Sequence, residues 1–206
     1  MLGIMGGPCH EFDVLWSHVE IADLLADSIG EEEQARALEQ AVHGLDTEDE
    51  RQLQALLAAG LEASYAVERE VHYPSSVGQN LSERQRCDIV LRAREPGGKE
   101  DDPFWLEVKV AYQFGAGGAR HRGYSAQWTR ALLSDLKKIE GETAIKHAAL
   151  VLIVFNESEE ILNKDLQLFE NLLTRSGARL GFRQVRTLAI ADRIGHRLCT
   201  VALWPM

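Results

Sequence analysis

Apolar and polar residues alternate most regularly in FWLEVKVA, residues 104–111. A strand turns successive side chains to opposite faces, so Phe104, Leu106, Val108 and Val110 share one face, and Glu107 and Lys109 the other. RCDIVLRA (86–93) alternates in the same way, with Cys87, Ile89, Leu91 and Ala93 opposite Arg86, Asp88, Val90 and Arg92. The turn-rich REPGGKEDDP between them predicts an antiparallel hairpin. YAVEREVHYP (65–74) reads as a preceding strand that stops at its proline, and KHAALVLIVFN (146–156), apolar on both faces, as a central one. FRQVRTLAIAD and HRLCTVALW supply two closing strands.

Helical spacing of apolar residues appears from Phe12 to Ser28, and a second short helix is expected over 31–43. Thr47 and Glu50 fit a capping box that opens a helix to about residue 64. Ser125 is placed to cap AQWTRALLSDLKKIE, and Asn156 or Ser158 to cap an amphipathic helix that Gly177 ends. The order predicts an α/β domain over 47–206 with an αβββαβ core, a mixed sheet flanked by helices, a further helix and two strands. Residues 1–46 form an acidic helical extension.

Charge sharpens this division. The net charge is −10, yet residues 1–70 hold 16 acids against Arg36, Arg51 and Arg69, leaving +3 for the remainder. From Lys109 to Lys138 there are six basic residues and one acid. That local surplus is the footprint a nucleic-acid partner needs. Three cysteines without a CxxC pair fit a reduced, cytoplasmic setting. The apolar run AALVLIVF is far too short to span a bilayer, and the first residues lack the pattern of a secretory signal, so no membrane association is expected.

On the hairpin, Asp88 and Glu107 fall on polar faces of neighbouring strands, with Lys109 beside them. Two converging carboxylates repel unless a cation or a proton lies between them, and oxygen donors suit Mg²⁺ or Mn²⁺. Asp88 followed at distance by Glu107-Val108-Lys109 resembles the PD-(D/E)xK, or restriction-endonuclease-like, nuclease superfamily, with Cys87 standing where the family name has proline. The resemblance covers roughly 48–156. It implies a restriction-endonuclease-like fold and metal-dependent cleavage of phosphodiester bonds in DNA, with RNA left open. By the same resemblance Asp88, Glu107 and the Val108 carbonyl hold the metal, and Lys109 assists the attacking water.

The family often adds a glutamate from the first core helix. Glu62 is the candidate here, with Glu70 on the first strand as its competitor. Arg120 and Arg122 in the Gly-rich loop, and Gln127 and Arg130 on the helix after it, are candidates for nucleic-acid contact. Asp135 and Lys138 are spaced for an intrahelical ion pair. A homodimer is compatible with this reading. The rival is a non-catalytic nuclease-like domain that binds a protein partner through its acidic N-terminal helices.

Overall fold

The computed structural model describes residues 16–76, 86–94 and 102–206. Helix α1 (His18–Leu38) and helix α2 (Glu50–Leu61) precede strands β1 (Tyr65–His72), β2 (Arg86–Ala93) and β3 (Phe104–Tyr112). Helix α3 (Tyr124–Glu140), strand β4 (His147–Asn156), helix α4 (Glu159–Ser176) and strands β5 (Gln184–Ala189) and β6 (Leu198–Pro205) complete the chain. The result is α/β: one mixed six-stranded sheet in the order β1-β2-β3-β4-β6-β5, flanked by helices. β3 and β4 are parallel, as a helical crossover through α3 requires, and every other neighbouring pair is antiparallel.

Two apolar layers hold the sheet. On one face Ile21, Leu25 and Ile29 of α1 and Leu53, Leu57 and Leu61 of α2 pack against Ile89, Leu106, Val108, Val151 and Val201. On the other, Trp128, Leu132 and Leu136 of α3 and Leu162, Leu166 and Phe169 of α4 cover Val90, Trp105, Leu150, Leu152 and Trp204. β4 is buried from Ala148 to Asn156 because both layers need it. β3 is buried on both faces as well, so Glu107 does not stand on a half-exposed surface as alternation alone predicts: it is 1% exposed.

Several local expectations change. The described N-terminal helix is one continuous element, α1, in place of two helices; Gly30 passes within it without breaking it, while Phe12 and Leu15 lie outside the described residues. Its apolar face joins the same core as α2, so the described part of 1–46 is packed onto the sheet. α1 and α2 approach closely: a Cβ on Gly60 would fall 1.7 Å from Ser28 Oγ. The capping box of α2 is Asp49 with Gln52, two residues beyond Thr47, which sits in a short 3₁₀ turn (Leu45–Thr47). α3 starts after Gly123 without a side-chain cap, so Ser125 is already inside it. Ser158 caps α4, and Gly177 ends it at φ +79°.

Candidate active site

The site lies at a fork in the sheet. β2 and β3 pair from Ile89–Leu106 to Leu91–Phe104, and there the ladder stops. β3 continues beside β4 to Tyr112, which leaves its other edge facing no strand. Buried backbone groups need partners, and side chains provide them. Cys87 Sγ donates to the Leu106 carbonyl (3.2 Å), and Asp88 Oδ2 accepts from Val108 N (2.8 Å). Gln54 Nε2 donates to the Val108 carbonyl (3.4 Å), and Glu50 Oε2 accepts from Val110 N (3.3 Å). Gln127 Oε1 accepts from Tyr112 N (3.0 Å). Five side chains thus replace a strand. The start of α2, aimed at the fork by its Asp49 cap, carries two of them.

The fork gathers charge. Continuing the β2–β3 register sets Asp88 opposite Glu107, and both side chains line the same pocket. Lys109 Nζ pairs with Glu50 Oε1 at 2.8 Å and with Asp135 Oδ2 at 3.6 Å. Lys138 pairs with Asp135 at 2.5 Å and lies 3.9 Å from Glu107 Oε1. The intrahelical Asp135–Lys138 pair therefore exists, but it is buried at its acidic end and belongs to the site. Tyr73, stacked on Trp105, donates its hydroxyl to Glu107. Four carboxylates (Glu50, Asp88, Glu107, Asp135) share two ammonium groups.

Titration follows from that imbalance. Burial, then repulsion from Asp88 and Asp135, pushes Glu107 well above the usual carboxylate range. Burial also raises Asp88, although Lys109 and the Val108 N–H favour its charged form. In the metal-free pair burial thus works against both charged forms. Burial by itself would lower Lys109, but Asp135, Asp88 and Glu50 outweigh it and raise its pKa, so the ammonium stays charged. Burial, with Cys87 and Glu107 next, raises Tyr73, which remains a phenol donor.

The fork opens on a pocket of about 500 Å³ lined by Glu50, Arg51, Gln54, Arg69, Glu70, Arg86, Asp88, Glu107, Lys109 and Lys138. Comparison with protein-family models, curated proteins and solved structures finds no match to this chain. The geometry must carry the argument.

Of the residues expected from sequence, Asp88, Glu107, Val108 and Lys109 come together. Glu62 does not: it follows the last residue of α2, exposed, roughly 18 Å of helix away from Glu50. The α2 carboxylate at the fork is Glu50. Glu70 does line the pocket, with φ +54°, directly across β1–β2 from Asp88 where that ladder also skips a pair. Gln127 completes the β3 edge, and Arg120 pairs with Glu157 at 3.0 Å. None of Arg120, Arg122, Gln127 and Arg130 lines the pocket. The Asp88 irregularity also moves Cys87 into the layer under α3, on the side of Val90, contrary to simple alternation. Sequence reading missed Glu50, Gln54 and Tyr73. Glu50 entered that reading only as a capping-box partner of Thr47.

Proposed function

We propose that this chain is a Mg²⁺- or Mn²⁺-dependent nuclease that hydrolyses phosphodiester bonds in DNA, with a restriction-endonuclease-like core. One observation carries the reading: two buried carboxylates, Asp88 and Glu107, stand opposite each other at a fork in the sheet beside the Lys109 ammonium, and open on a polar pocket.

The residues fit a divalent ion. Among the described residues no group of three or more His, Cys, Asp or Glu side chains forms a metal cage. Mg²⁺ does not need one, since it commonly takes one or two carboxylates together with water and substrate phosphate. Asp88, Glu107 and the Val108 carbonyl would hold it, and the surplus of carboxylates over ammonium groups supplies the charge that favours it. A bound divalent ion would supply Lewis acidity toward a phosphoryl oxygen and toward water.

The chain's own groups do the rest. Lys109 is too strongly held in its charged form to take a proton, so its contribution is electrostatic: it orients water and stabilises negative charge developing on phosphate. Glu50 and Asp135 fix its ammonium, and Gln54 fixes the Val108 carbonyl. Tyr73 orients Glu107 from the buried side.

The test is cleavage of linear and circular DNA with Mg²⁺, Mn²⁺ or EDTA. The expected result is metal-dependent cutting that Lys109→Met reduces strongly. Absence of cutting on DNA and RNA alike, by protein that binds Mn²⁺, would favour the rival reading of a non-catalytic module. The acidic surface of α1 is the feature such a module would use.

A further inference from the structure

Resting on the nuclease reading, we infer that Arg69 and Arg86, at the β1–β2 rim of the pocket, hold a backbone phosphate of the substrate, and that the nucleic acid therefore lies across this rim and not along the Gly-rich loop. Three observations converge. Three arginines (Arg51, Arg69, Arg86) line the pocket beside the two lysines, so on a chain of net charge −10 the acids and cations around it balance once Asp135 is counted. Lys109 and Lys138 are already paired with buried acids, so the positive charge available to a ligand is on the arginines.

Arg86 carries the strongest sign. It lines the pocket, and its Nε has no hydrogen-bond partner among the described residues, so the guanidinium is not committed to a protein acceptor. A phosphate oxygen is an acceptor of the right charge for the part of the guanidinium that faces the opening. Arg86 lies two residues before Asp88 on β2, so a group bound there sits next to the carboxylate pair.

Arg69 is held over the same opening from the other side. Its Nη2 donates to the Arg51 carbonyl at 3.3 Å, which tethers the guanidinium to the first turn of α2. That turn adds the positive end of a helix dipole. Arg120, by contrast, is neutralised by Glu157 and lies outside the pocket.

The test measures binding of a short random-sequence DNA duplex to the full chain across a salt series, with Ca²⁺ replacing Mg²⁺. Arg69→Gln and Arg86→Gln should each weaken binding and reduce the slope of log affinity against log salt by about 1, as loss of one phosphate contact does. Arg86→Lys should retain most of the slope, while Arg120→Gln and Arg122→Gln should leave it unchanged. Arg69→Gln guards against a folding defect, because Arg69 is exposed. If wild type binds the duplex but both rim variants keep its slope, or the loop variants lose it, the rim assignment is overturned and the nuclease reading stands. If wild type binds no nucleic acid at all, both fall.

Discussion

Two buried polar clusters lie along the segment from Asp46 to Glu50 and the end of β3, and they solve the same problem differently. In one, His196, Asp46, Glu33 and Arg193 join α1 and the 3₁₀ turn to the chain before β6. His196 Nε2 accepts from Phe114 N at 2.9 Å, so its Nδ1 carries the proton donated to Asp46, also at 2.9 Å. Glu33 receives Arg193 and the Ala191 N–H. Each carboxylate has its own donor on one oxygen, while Glu33 Oε2 and Asp46 Oδ1 are buried without one among the described residues, and the His196 and Asp46 side chains are fully buried. At the fork, four carboxylates compete for two lysines beside a pocket. Matched polar groups lock a structure; mismatched ones are tolerated where a ligand completes them.

The largest stability effect should come from breaking the matched cluster. His196→Ala leaves both Phe114 N and Asp46 without a partner and opens a cavity, at a cost of about 3–5 kcal/mol. Chemical denaturation reads this directly, and cleavage per folded molecule should be unchanged.

At the fork the larger effect should fall on turnover. Lys109→Met should lower the cleavage rate about 10²–10³-fold, the range for removing one preorganised electrostatic group. A variant with wild-type turnover would remove Lys109 from the chemistry.

A smaller effect separates the clusters by pH. Asp88 and Glu107 are raised in the folded protein, so protonation of these carboxyls stabilises the metal-free fold below the unfolded carboxylate range. That contribution is lost as pH rises through the folded values. In EDTA, wild type should lose more stability between pH 4 and 8 than Glu107→Gln, which cannot ionise at that position. Parallel stability curves for the two proteins would contradict the upward shift of Glu107. The smallest effect should be at Glu62, where alanine should change stability by less than about 0.5 kcal/mol and leave cleavage unaltered.

Much of the frame was legible in one dimension. Period-two alternation set Glu107 and Lys109 on one face of β3, the apolar run marked β4 as central, and Ser158 and Gly177 bounded α4. Glu50 and Gln54 were not legible as site residues, because nothing in α2 itself demands them. Gln54 is buried only because β3 loses its strand partner beyond Leu106, a property of how β2 and β3 splay. Gln127 was read as a ligand contact for the same reason: its true partner, Tyr112 N, is free only at the fork. The positive φ of Glu70 likewise depends on the break opposite Asp88, and a glutamate in a strand does not announce it.

The central claim is that the mismatch at the fork is a cation site. Calorimetric titration of Mn²⁺ into chelator-treated protein tests it most directly, with Asp88→Asn and Glu107→Gln alongside. Asparagine keeps an acceptor for Val108 N, so the fold should survive the first substitution. The account predicts saturable binding by wild type, accompanied by proton release, and loss of that binding in both variants. Equal binding by all three proteins, or none by wild type, would contradict it.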